Sequence, residues 1–206
     1  MSNEAFRVSA VSNALSSIRR DKRFPQKVLA GHWEDYLFFE PFLMFDPCFI
    51  EIKNSLLVEE KASVIALINL GDDTPINHDD PPMIFIEQST MAKEYISELE
   101  SRGAPRGWRF VMDRYVCASD RGAWCIYCER QNDVAVFAFR EGFLQSTRLQ
   151  VEKLLKTTSI RFSSATGATE VFDFGKLVPS WRSALVAEHV PVGPKMNSRG
   201  SDNKSQ

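Results

Sequence analysis

WRFVMDRYVCASDRGAWCIYCERQNDVAVFAFR, residues 108–140, is the stretch whose reading decides the fold. It is the chain's densest run of β-branched and aromatic residues, the types that suit a pleated, packed surface. Asp120-Arg121-Gly122 is a tight hairpin signal between Tyr115–Ala118 and Ala123–Glu129. Gln131-Asn132-Asp133 is a second turn signal and leads into Val134–Arg140. The run therefore predicts three or four antiparallel strands. In the last of them both parities are apolar. Val134, Val136 and Ala138 fall on one side, Ala135, Phe137 and Phe139 on the other. Such a strand belongs in the middle of a sheet that is covered on both faces.

Trp124-Cys125-Ile126-Tyr127-Cys128 carries the letters of the WCxxC redox motif of thioredoxin-like proteins. That chemistry needs the first thiol at a helix N-terminus, where the dipole lowers its pKa. Here the flanks are strand-like, and in a strand residues i and i+3 face opposite sides. Cys125 and Cys128 are expected to be core residues that neither pair nor share a metal. Cys117 lies on the neighbouring predicted strand. A four-cysteine zinc site would also need Cys48, at an irregular spacing.

Moving towards the N-terminus, residues 3–20 read as an amphipathic helix, with Phe6, Val8, Val11, Leu15 and Ile18 recurring every three to four positions. A polar break over Arg19–Lys27 contains Pro25. From Val28 to Leu57 the chain is dense in aromatics and cut by Pro41 and Pro47. A helix is expected around 31–39, and Cys48–Lys53 fits a strand or a helix equally. Glu59–Leu70 ends at Gly71, which suits a helix C-cap, yet the clustered β-branched residues favour a strand over Val64–Leu70. GDDTPINHDDPP, residues 71–82, can only be a loop. Met83–Glu87 reads as a strand. A helix then runs from a cap at Ser89 or Thr90 to about Ser101, with Met91, Tyr95, Ile96 and Leu99 as its stripe and Gly103 ending it.

On the C-terminal side, helical period returns over Thr147–Thr157. Ser163–Thr169 reads as a loop and Glu170–Phe174 as an edge strand. Pro179–His189 reads as a last helix. The polar tail, 191–206, lacks apolar period and is expected to be disordered. The sum is an α+β fold: a central, mostly antiparallel sheet over about residues 83–140, packed by helices from both ends of the chain. It forms a single domain over 1–190, with a helical part at 1–57, a sheet-rich part at 58–140 and C-terminal helices at 141–190.

The 206 residues are 44% hydrophobic and 25% charged, ordinary for a globular protein, and fifteen Phe and four Trp imply a ring-rich core. The net charge of -2 leaves no overall footprint for nucleic acid or anionic lipid. Charge is uneven, with a basic segment over Arg19–Lys27 and an acidic middle from Glu59 to Glu100. The N-terminus lacks the pattern of a secretory signal, and no apolar run approaches a membrane span. Four cysteines without such a signal point to reduced thiols in a cytoplasm.

Candidate chemistry is sparse. Asp72, Asp73, His78, Asp79 and Asp80 could face a hard cation, but the alternating ligand register of an EF-hand is absent. They are read as a solvated acidic loop, and as the candidate binding residues for electrostatic docking to a basic partner. Asp46…Glu51-Ile52-Lys53 resembles the acid-x-Lys strand of restriction-endonuclease-like nucleases, whose carboxylates hold Mg²⁺. Asp46 is too near Glu51 for the usual spacing. Arg106-Gly107-Trp108-Arg109 is the one place where an aromatic is interleaved with basic residues. The GxSxG, GxxxxGK[ST] and GxGxxG motifs are missing, and His32, His78 and His189 sit near no nucleophile motif. No cofactor, metal or catalytic residue is assigned.

The pattern W-x-I-Y-x-E-R-x-x-D-V-A-V-x-A, Trp124 to Ala138, is similar to paired strands in small bacterial α+β proteins, some of them toxin-immunity proteins. The resemblance covers those fifteen of the 206 residues. It implies a cytoplasmic binding protein without catalysis, and it fixes no binding residue. The chain departs from those proteins in its greater length and near-neutral charge. The resulting expectation is a non-enzymatic protein that binds another protein, such as a basic toxin domain, through an acidic surface. The alternatives are a Mg²⁺-dependent nuclease using Glu51 and Lys53, and a structural or regulatory accessory protein.

Overall fold

The computed structural model describes residues 2–71, 82–103, 106–140, 151, 162–164 and 177–189. Its strands are β1 (Asp35–Phe39), β2 (Val64–Asn69), β3 (Met83–Glu87), β4 (Arg114–Ser119), β5 (Trp124–Glu129), β6 (Val134–Phe139) and β7 (Phe162–Ser164). Among the described residues they form one seven-stranded sheet in the order β3-β2-β4-β5-β6-β1-β7. Every pairing is antiparallel. With helices on both faces, this is the α+β architecture expected from the pattern.

The sheet extends beyond residues 83–140. The segment expected as a helix around 31–39 contains strand β1, whose residues Asp35–Phe39 pair with β6 on one side and β7 on the other. All five of its residues are buried. A strand covered on both faces shows no period-two alternation, so hydropathy alone does not separate it from a helix. The aromatic side chains Tyr36, Phe38 and Phe39 favour the strand. Phe162–Ser164 forms an edge strand where the sequence suggests the start of a loop. The helix read over Thr147–Thr157, apart from buried Val151, lies outside the described residues, as do the strand read at 170–174 and the tail.

Within the deciding stretch there are three strands, not four. Trp108–Val111 is a short helix, α4. It follows Gly107, whose φ of 74° and ψ of 152° exclude a side chain, because a Cβ there would run into the Glu100 carbonyl. The β4–β5 hairpin turns through Gly122 at φ 69°. Its register sets Cys117 opposite Ile126 and Tyr115 opposite Cys128.

Helix α1 (Asn3–Ser16) starts at Ser2, whose hydroxyl accepts from the Ala5 N–H at 3.4 Å. It stops four residues short of the expected end, because Ile18 instead bridges to Leu29. Cys48–Lys53 belongs to helix α2 (Cys48–Glu60), where Asp46 Oδ1 accepts from the Cys48 N–H at 2.8 Å. Helix α3 spans Ala92–Ser101 and helix α5 spans Pro179–His189.

Two cores lie on the two faces of the sheet. One holds α2, α3 and α4 through Phe49, Ile52, Leu56, Tyr95, Leu99 and Trp108, packed on Ala135, Phe137 and Phe139. The other holds α1 and α5 through Ala10, Ala14 and Leu185, packed on Val134, Val136 and Ala138. The two parities of β6 thus face different cores, as its sequence requires.

Candidate functional site

Asp72, Asp73, His78, Asp79 and Asp80 lie outside the described residues, so the structure speaks only of the ground on which they stand. They belong to the connection between β2 and β3, which are adjacent at one edge of the sheet. The base of that connection is tightly held. The Asn69 N–H donates to the Pro82 carbonyl at 2.8 Å, and Asn69 Oδ1 accepts from the Gly71 N–H at 2.9 Å. Arg114 donates from Nε and Nη2 to the Leu70 carbonyl at 3.0 and 2.6 Å. An acidic run of sequence is therefore anchored at both ends on rigid strands, beside a guanidinium.

The nuclease-like constellation does not converge. On helix α2, Glu51 is exposed while Lys53 is fully buried. Lys53 Nζ donates to three carbonyls, those of Glu87 at 2.8 Å, Gln88 at 3.0 Å and Thr90 at 3.0 Å. All three ammonium hydrogens are used in holding the turn between β3 and α3. Burial lowers its pKa.

Other polar groups inside the fold have the same kind of employment. Asp120 Oδ1 accepts from the Ser63 and Val64 N–H groups at 2.8 and 3.0 Å, tying the hairpin to β2. Glu60, at the end of α2, accepts from the Ala123 N–H and from Trp124 Nε1, both at 2.8 Å. Its pKa is nonetheless raised, because desolvation outweighs those bonds. Glu129 Oε1 accepts from Tyr127 Oη at 2.5 Å and from the Phe24 N–H at 3.0 Å, and its Oε2 accepts from Asn132 Nδ2 at 2.6 Å. That carboxylate pins the segment after α1 to the sheet.

The cysteines are separated as the strand reading requires. Cys125 packs in the core beneath α1, whereas Cys48, Cys117 and Cys128 pack in the opposite one. None of the four is in a disulfide, and all are buried. Burial pushes the Cys125 thiol up to about 12 and raises Cys117 and Cys128 as well, the reverse of an activated thiolate. Among the described residues no three His, Cys, Asp or Glu side chains are grouped to hold a metal. No helix there is long and apolar enough to cross a membrane.

Two surface features remain, one that the sequence marks and one that it does not. The first surrounds Arg106-Gly107-Trp108-Arg109. Trp108 is buried, and the exposed rings are Phe110 and Phe42. Arg130 lies 4.8 Å from the Phe42 ring centre, and Arg109 lies 6.0 Å from that of Phe110 while pairing with Glu100 at 2.6 Å. The second is a groove of about 520 Å³ between α1 and β3, lined by Glu4, Arg7, Val8, Val11, Met83 and Phe85. Arg7 lies over the Phe85 ring at 5.0 Å and pairs with Glu87 at 2.7 Å. Met83 to Ile86 are apolar on both parities, so the sequence does not mark which side lines the groove.

Among the described residues, fold and surface together define an α+β protein whose antiparallel sheet carries helices on both faces, with Lys53, Glu60, Asp120 and Glu129 engaged in bonds that tie its elements together. Set against known protein families, curated proteins and solved structures, the chain matches none.

Proposed function

We propose that this is a non-enzymatic, cytoplasmic binding protein that docks a basic protein partner, of the toxin-domain kind, through its acidic segment at Asp72, Asp73, Asp79 and Asp80. One observation carries the reading. The connection that holds these carboxylates springs from two adjacent paired strands, and its base is fixed by Asn69, Pro82 and Arg114. Binding residues on a loop presented by a rigid scaffold are a common arrangement in recognition. The interior carboxylates and Lys53 support the same view, since their bonds serve the fold. His78 belongs to the same segment of sequence.

The test is affinity purification from the native host with two baits, the wild-type chain and a variant carrying Asp72→Lys, Asp73→Lys, Asp79→Lys and Asp80→Lys. The expected result is a basic protein held by the wild type, eluted by salt and absent from the variant. Equal capture by both baits contradicts the acidic-surface reading.

A further inference from the structure

Between α1 and β1, residues 19–27 carry Arg19, Arg20, Lys22, Arg23 and Lys27 against a single acid, Asp21. The loop is closed at its base by a short backbone clasp. The Arg19 N–H donates to the Val28 carbonyl at 2.7 Å, the Ala30 N–H donates to the Ser17 carbonyl at 2.8 Å, and Ile18 stands opposite Leu29 between them. Two turns shape the loop itself. The Lys22 N–H donates to the Arg19 carbonyl at 3.0 Å, and the Gln26 N–H to that of Arg23 at 2.9 Å. Phe24 anchors the middle. Its ring is buried edge-on against Tyr127 at 5.1 Å and His189 at 5.5 Å, and its N–H donates to Glu129 Oε1 at 3.0 Å. Ile18, Val28 and Leu29 are buried with it. The large apolar side chains of this segment thus all belong to the core beneath α1 and α5, while Arg19 and Arg20 stand exposed and Lys22 and Lys27 part exposed. The dipole at the C-terminus of α1 accounts for a cation or two beside the last turn, but not for Lys22, Arg23 and Lys27 beyond it.

We propose that this loop binds the sugar–phosphate backbone of nucleic acid, without regard to base sequence. It is held at its base, at two turns and at Phe24, so its cations are presented on a fixed frame. Three of the five are arginines, whose planar forks match phosphate oxygens. The inward direction of its apolar residues selects among polyanions. A protein partner is held through apolar and aromatic anchors at the centre of the interface, and this face presents none. A membrane surface is likewise gripped by apolar side chains that enter the headgroup boundary. A phosphate backbone needs neither, because cation–phosphate contacts and the counterions they release supply the free energy. Asp21 lies 3.7 Å from Lys22 in an exposed pair, which is weak enough to yield to a phosphate. The net charge of -2 adds no attraction from the rest of the chain, so contact is confined to this loop. The proposal uses no residue of the acidic segment between β2 and β3.

The experiment is fluorescence anisotropy of a labelled DNA duplex titrated with the full chain over a series of salt concentrations. A poly-glutamate peptide and phosphatidylserine vesicles are titrated in parallel. The expected result is micromolar binding to the duplex at low salt, with a slope of log Kobs against log salt of about −3 to −5, nearly one for each cation engaged. In Arg20→Glu/Lys22→Glu the affinity at low salt is expected to fall about tenfold or more, and the slope to shrink by about 2. Arg20 is exposed and Lys22 pairs with exposed Asp21, so the wild-type circular dichroism spectrum is expected to persist. If that pair of substitutions misfolds the chain, Arg19→Gln/Lys27→Gln decides by the same readout. No binding to the duplex at low salt overturns the proposal, as does binding that is unchanged in a folded variant. Tighter binding to poly-glutamate or to the vesicles than to the duplex overturns it too, and assigns the loop to an acidic protein or an anionic membrane.

Discussion

Lys53 shows how a residue that looks chemical in sequence becomes architectural in three dimensions. A cation two positions after a glutamate suggests a metal site, but a helix turns the two side chains apart, and three carbonyls take the ammonium. Lys53→Met keeps the stem and deletes all three bonds, leaving the Gln88 and Thr90 carbonyls without that donor. The expected loss in urea unfolding is about 3 kcal/mol, with faster amide exchange at the β3–α3 turn. A loss below about 1 kcal/mol would contradict this role. Glu60 makes a prediction of opposite sign. Its pKa is raised in the folded state, so its contribution to stability is fully present below the ordinary carboxylate value and declines as pH climbs through the raised one. In Glu60→Gln that decline disappears. The stability of the variant relative to wild type should rise with pH across this window and then level off. A difference that stays flat with pH would remove desolvation as the cause.

At the scale of elements, much of the sheet was legible and its boundaries were not. The hairpins at Gly122 and Asp133 announce themselves, since both residues take the positive φ that such turns require. The two apolar parities of β6 place it in the middle, and it packs against a different core on each side. Strand β1 was missed for the same physical reason, because burial on both faces erases the alternation that marks a strand. The α1–β3 groove was illegible, since it depends on where α1 stops covering the sheet. Helix α5 offers a test of element docking. The His189 ring packs edge-on against Phe24, Tyr36 and Phe38, with Nδ1 2.9 Å from the Leu185 carbonyl. Burial lowers its pKa, with Glu188 acting against the shift and Lys27 adding to it. A lowered folded pKa means stability that is present above the ordinary imidazole value and lost as pH falls towards the folded one. Amide protection in α5 should therefore drop as pH falls from about 7 to about 5. In His189→Phe it should not, and an equal drop in both would assign the acid sensitivity elsewhere.

For the whole molecule, the central feature is the contrast between a sheet closed on both faces and an acidic connection hung from one edge of it. The sequence alone marked that connection through its Asp and Pro content, and the fold supplies its footing on β2 and β3. Reversing the charges of its four aspartates is therefore the handle on the acidic-docking reading. The most direct measurement is calorimetric titration of the captured partner with wild-type chain and with the variant reversed at Asp72, Asp73, Asp79 and Asp80, at matched salt. Acidic docking predicts binding weakened by roughly a hundredfold or more in the variant, and a wild-type affinity that falls steeply with added salt. An unchanged Kd, in a variant with wild-type circular dichroism and melting temperature, would contradict it.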